Sequence, residues 1–325
     1  MRASIFGLLV SSAITAAAGS ASADKVSTAP QTGFGAFGGS NDSPHADFCL
    51  EYVGTPAAHT SLNTVQCGAY DTDNPQAFRY TSQHQIVPTY ASYLCVDVDN
   101  GAVNPSTQVG GVHLEPCNGT AAQSWTYSSG QLKSAITTGS GNYCLDVTDA
   151  EGNNGVDVTT CNHTIAQVWW PSGFLIQLQS DLCDVASGVP CLSPTEYECL
   201  DLQGDNPAVN TQLDNTICTT ANDAQNFTIW NNTITNHDRC AGISSFTGNT
   251  GAVEMQACNG SEAQTWWFDI TPAGLLEVQN ELTPNGTLQC LDVHGDSTTP
   301  DTLIDTYICG SANTAQIWNP IIVPN

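Results

Sequence analysis

Apolar positions in this chain fall in short runs, not at helical spacing. Leu94 to Val98, Val112 to Leu114, Phe174 to Gln179 and Leu275 to Val278 are of strand length, and Gly, Asn, Asp and Pro punctuate them. Such runs cannot build a helix three turns long. They predict an all-β chain of many short strands.

The runs sit inside a larger period. A cysteine and an apolar residue open each unit, followed by an acid in five of the six. A second cysteine follows 17 to 22 residues on, and Gln-x-aromatic closes it. The openings are Cys49-Leu50-Glu51, Cys95-Val96-Asp97, Cys144-Leu145-Asp146, Cys199-Leu200-Asp201, Cys240-Ala241-Gly242 and Cys290-Leu291-Asp292. The closures are Gln76-Ala77-Phe78, Gln123-Ser124-Trp125, Gln167-Val168-Trp169, Gln225-Asn226-Phe227, Gln264-Thr265-Trp266 and Gln316-Ile317-Trp318. Opening cysteines recur every 41 to 55 residues, so the repeat is the structural unit.

One such unit is too small to bury its own apolar face. Three together can close a barrel around shared Leu, Val and aromatic side chains. Six units therefore predict two tandem β-trefoils of three repeats each, spanning 44–172 and 173–325. The join falls between 168 and 182. Trp169-Trp170-Pro171 and Trp318-Asn319-Pro320 end the two halves alike. The closing aromatics are expected in the core.

The first 23 residues read as a secretory signal: Arg2, an apolar stretch from Ile5 to Val10 extended by Ala13 to Ala18, and Ala21-Ser22-Ala23 as the cleavage site. Residues 24–43 read as a flexible, exposed leader. A secreted location makes the 14 cysteines disulfides. The repeat pairs Cys49 with Cys67, Cys95 with Cys117, Cys144 with Cys161, Cys199 with Cys218, Cys240 with Cys258 and Cys290 with Cys309. Cys183 and Cys191 remain to close an extra loop, and no thiol is left for nucleophilic chemistry. Sequons place candidate N-glycans at Asn41, Asn118, Asn162, Asn226, Asn231, Asn259 and Asn285. Asn118, Asn162 and Asn259 each follow a closing cysteine, and Asn226 sits inside a Gln-x-aromatic element.

Without Arg2 the chain keeps 4 basic and 31 acidic side chains, a formal charge of −27. That surface repels phosphate backbones and anionic lipid, which argues against nucleic acid as a partner. No further segment has the length of a membrane span.

The Cys-Leu-Asp openings with six Gln-x-aromatic closures resemble the ricin B chain-type lectin family, over residues from about 45 to 325. The resemblance implies two β-trefoils that bind glycans or polysaccharide in shallow pockets, up to one per repeat. Family sites combine the Asp two after the opening cysteine with a polar residue four before the closing cysteine and an aromatic two before it. An Asn commonly precedes the closing Gln. A carboxylate accepts sugar hydroxyls, an amide donates and accepts, and a ring covers the apolar face of a pyranose. Repeat six matches best, through Asp292, Asp305, Tyr307 and Gln316. Weaker matches are Asp97, His113 and Gln123 in repeat two, Asp146, Asp157 and Gln167 in repeat three, and Asp201, Asp214 and Gln225 in repeat four. Repeats one and five, with Glu51 and Gly242 at the carboxylate position, read as structural. Ala stands before Gln in five repeats, and Pro75 in the first.

The repeat accounts for the carboxylates without catalysis. There is no nucleophile elbow, Gly-rich phosphate loop or Cys-His signature, and the seven histidines show no metal-ligand spacing. The expectation is a secreted, non-catalytic sugar-binding protein with no cofactor or metal. The rival reading is a secreted protein-binding or structural subunit with degenerate sugar sites.

Overall fold

The computed structural model describes residues 36–39, 48–66, 74–137, 141–148, 154–182, 197–219, 221–230, 232–271, 275–280, 282, 286–310 and 313–323. The proposed signal, Cys67, Cys183, Cys191, Asn41, Asn231 and Asn285 lie outside them. No helix among the described residues is long and apolar enough to cross a membrane.

Each repeat is built on one antiparallel hairpin. Its first strand carries the opening cysteine and its second strand runs toward the closing one. The hairpins are Phe48–Tyr52 with Thr60–Gln66, Leu94–Val98 with Gly110–Pro116, and Tyr143–Val147 with Asn154–Thr160. In the second half they are Glu198–Leu202 with Leu213–Ile217, Arg239–Thr247 with Thr250–Ala257, and Gln289–Val293 with Thr302–Ile308. Side chains alternate across a strand. Along Gly110–Pro116, Val112 and Leu114 face inward while His113 and Glu115 take the opposite, half-buried face. Alternation of this kind fixes the register, because a slip by one residue would expose the apolar set.

Second strands from three repeats then meet one another. Thr60 and Ser61 pair with Leu114 and His113, Asp157 and Val158 with Gly111 and Gly110, and Asn154 and Gly155 with Thr64 and Asn63. Repeats one, two and three thus close a ring. The later repeats do the same. Asp214 pairs with Leu303, Gly251 with Thr306, and Gln212 bridges to Glu254. The result is all-β and largely antiparallel, and two such rings are consistent with tandem trefoil-like domains.

Closing aromatics fill the space inside. Phe78, Trp125, Trp169, Phe227, Trp266 and Trp318 are all buried. Each large apolar side chain taken out of water contributes roughly 2–3 kcal/mol. The tryptophans add a polar tie. The indole N–H donates to the carbonyl just after the opening cysteine: Trp125 to Val96 (3.0 Å), Trp169 to Leu145 (2.9 Å), Trp266 to Ala241 (2.8 Å) and Trp318 to Leu291 (2.9 Å). In these four repeats the closing aromatic is thereby pinned to the opening strand.

Disulfides join Cys95 to Cys117, Cys144 to Cys161, Cys199 to Cys218, Cys240 to Cys258 and Cys290 to Cys309, with Cα atoms 4.9 to 5.1 Å apart. Closing loops of about 20 residues stabilises by roughly 3 kcal/mol each on the chain-entropy model. Cys49 is also disulfide-bonded.

One expectation needs correction here. Residues 36–39 fall within the segment read as a flexible leader. They form a strand paired with Trp169 to Ser172 and with Phe48 and Cys49. The Gly-rich composition hid a strand whose stabilisation comes from edges formed by distant residues.

Candidate functional site

The hairpin register brings the carboxylate position and the polar position face to face. Asp292 lies opposite Asp305, Asp201 opposite Asp214, Asp146 opposite Asp157, and Asp97 opposite His113. The ring position lies opposite the opening cysteine, as Tyr307 does to Cys290. Asp305 and Tyr307 are two apart on one strand, so they share a face with Asp292.

Repeat six carries the fullest set. Asp292 and Asp305 are 5% and 7% exposed, whereas Tyr307 is 44% exposed and offers an open ring. Asn313 Nδ2 donates to Asp292 Oδ2 at 3.2 Å, and His294 Nδ1 bonds Asp305 Oδ2. Asp305 Oδ1 is buried with no partner among the described atoms, leaving an acceptor uncommitted. Burial, then the facing charge of Asp305, pushes Asp292 up to about 7. Burial raises Asp305 as well, against the lowering pull of His294. Near neutrality this pair holds a proton, so it can both donate and accept.

Repeat four has the same frame without the ring. Asn222 Nδ2 donates to Asp201 Oδ2 (3.1 Å) and to Asp205 Oδ1 (3.0 Å). Burial, reinforced by the surrounding carboxylates, pushes Asp214 up to about 7 and Asp201 to about 6. Thr216 stands at the ring position. In repeat three, Asp146 accepts from Gln167 Nε2 (2.8 Å) and Thr159 Oγ1 (3.0 Å), and burial with the charge of Asp146 pushes Asp157 to about 6. In repeat two, His113 is bound to Asp99 and Glu115.

Repeat five is closed. A Cβ on Gly242 would lie 2.8 Å from Gln264 Cγ and 2.9 Å from Gln256 Oε1, so Gln256 occupies the ground a carboxylate would need. In repeat one, Glu51 Oε2 accepts from Gln76 Nε2 at 3.1 Å.

The closing glutamines brace the frame around each closing cysteine. Gln123, Gln167, Gln225 and Gln316 are fully buried. Each straddles its closing cysteine. Gln316 Oε1 accepts from Gly310 N (2.8 Å) while its Nε2 donates to Ile308 O (3.1 Å). Gln123 ties Asn118 N and Pro116 O, Gln167 ties Asn162 N and Thr160 O, and Gln225 ties Thr219 N and Ile217 O. Asn226 is 7% exposed in the fold. Asn118, Asn162 and Asn259 are exposed.

Two residues of the candidate sites escaped the sequence reading. Asn222 and Asn313 supply the amide that Ala before Gln does not. Each also accepts from the backbone N–H two residues on, Ala224 at 2.9 Å and Ala315 at 3.0 Å, which aims its Nδ2 at the carboxylate. The shared Asn-x-Ala-Gln of repeats four and six was the available signal.

The family model described as the ricin-type β-trefoil lectin domain matches residues 40–169, 102–190 and 193–318. The chain belongs to this family. It is of a non-catalytic, carbohydrate-binding type. Among solved structures, the chain is 22% identical to the Vibrio vulnificus hemolysin/cytolysin β-trefoil lectin with N-acetyl-D-lactosamine bound, over 43% of this chain and 93% of that one, with a TM-score of 0.34. It is 14% identical to an agglutinin from Abrus precatorius, over 89% and 96%, with a TM-score of 0.36. It is 15% identical to a non-toxic homologue of type II RIPs from Momordica charantia in complex with α-methyl-D-galactoside, over 89% and 96%, with a TM-score of 0.33. No match was found among curated proteins.

Proposed function

We propose that this chain is a secreted lectin of two tandem β-trefoils, 44–172 and 173–325, whose principal sugar site is in repeat six. Asp292 and Asp305 accept and donate hydrogen bonds to sugar hydroxyls, Asn313 orients Asp292, and Tyr307 stacks on the pyranose. The observation that carries this reading is the register that sets Asp292 opposite Asp305, with the half-exposed Tyr307 on the same face. Two strand rings, one on each side of 169–180, support the domain division. Repeat four is a secondary site that lacks a stacking ring. Repeats one and five serve the scaffold. The secretory signal and the disulfides support an extracellular location.

Binding to an array of galactosides, mannosides, xylosides and longer glycans tests the reading. Tyr307→Ala is expected to weaken the strongest interaction by roughly 1–3 kcal/mol, the scale of aromatic truncation in ligand sites. A wild-type chain that binds no glycan, or variants that bind as well as wild type, would refute the assignment.

A further inference from the structure

The first half holds a cluster outside the principal sugar site, centred on His113, the polar position of repeat two. His113 and Glu115 project from one face of Gly110–Pro116. His59 reaches the same spot from repeat one, where its backbone N–H donates to Leu114 O at 2.8 Å. His59 Nδ1 lies 2.5 Å from Glu115 Oε1, and His113 Nε2 lies 3.0 Å from that same oxygen. The other ring nitrogen of His113, Nδ1, bonds Asp99 Oδ1.

His59 Nδ1, His113 Nε2 and a Glu115 carboxylate oxygen therefore converge on one point from two repeats, and Asp99 holds the far side of the His113 ring. The geometry points to a binding site for one divalent transition metal of the zinc class, ligated by His59 Nδ1, His113 Nε2 and Glu115, with Asp99 as the outer partner of His113.

Two imidazoles and one carboxylate suit Zn²⁺, with a fourth position open to solvent or ligand. Calcium and magnesium prefer oxygen donors throughout. The ligand atoms all lie within 4.8 Å of one another. The chain around the cluster is shaped to hold Asp99. A Cβ at Gly111 would lie 2.4 Å from Asp99 Oδ2, so the glycine leaves the carboxylate its route to His113. Beside the cluster a cavity of about 460 Å³, lined in part by Ser61, Gly111 and Gly155, gives access from solvent. Sequence spacing could not show this, since His59 and His113 come from different repeats and meet only when the first ring of strands closes.

Titration of the full chain with Zn²⁺, in excess Ca²⁺ to occupy the surface carboxylates, tests the site. One Zn²⁺ per chain is expected, and Co²⁺ in its place should give visible absorption of low-coordinate geometry. His59→Asn is expected to weaken Zn²⁺ binding at least tenfold. His59 is exposed and has a φ of +64°, which Asn tolerates, so the fold should be kept. Asp99→Asn should weaken binding by ten- to a hundredfold. A wild-type chain with no stoichiometric Zn²⁺, or one whose affinity is unchanged in His59→Asn and His113→Gln, would overturn the proposal.

Discussion

The paired carboxyls make stability fall as pH rises, and Asp292 is the place to measure it. Its carboxyl faces Asp305, Asp296 and His294, and burial dominates its surroundings. In the unfolded chain it titrates near 3.8; in the fold, burial and the facing charge push it up to about 7. A raised carboxyl favours the fold while it is protonated. The benefit is complete below about pH 4 and is lost as pH climbs through about 7. Three pH units at about 1.4 kcal/mol each give roughly 4 kcal/mol as an upper estimate for this residue. Asp201, Asp214 and Asp157 shift the same way. Because paired groups share protons, their contributions do not simply add. Urea denaturation followed by tryptophan fluorescence at pH 4.5 to 8 should show the midpoint falling with pH. Asp292→Asn should flatten that dependence by about 1.4 kcal/mol per pH unit between pH 5 and 7. A wild-type midpoint that is constant or rises with pH, or an Asp292→Asn curve parallel to wild type, would refute the reasoning.

The frame yields two further predictions. Trp318→Phe removes the indole donor to Leu291 O and leaves a small void, and thermal melting should show a loss of about 1–3 kcal/mol. The fold should survive, because Phe78 and Phe227 already fill this position in repeats one and four. Gln316→Ala strips hydrogen bonds from Gly310 N and Ile308 O beside Cys309 and should cost about 2–4 kcal/mol by urea unfolding; an unchanged midpoint would show that the glutamine does not hold the loop.

The sequence was most readable where one physical cause acts on every repeat. Cysteine spacing and the Gln-x-aromatic closure gave the hairpins, because each unit must tie its ends and bury its aromatic in the same way. The pairing of Asp292 with Asp305 could be anticipated as two positions of a motif, but their opposition across a hairpin needed the register. Roles were harder to read than places. Gln316 stood in the motif as a ligand group, and its hold on the backbone on either side of Cys309 needed the fold to be seen. Asn313 was passed over because it replaces, from three residues before Gln316, an amide sought one residue before it. Contacts between repeats were invisible. His59 with His113, and the strand 36–39 with Trp169 to Ser172, depend on ring closure and domain edges that no local pattern records.

The most direct test of the central claim is calorimetric titration of the strongest array glycan into wild type, Asp292→Asn and Tyr307→Ala, each shown folded by its circular dichroism. If repeat six is the principal site, wild type binds with a dominant stoichiometry near one, Asp292→Asn abolishes that event, and Tyr307→Ala weakens it by roughly tenfold or more. Identical isotherms for all three chains would contradict the account and move the sugar site out of repeat six.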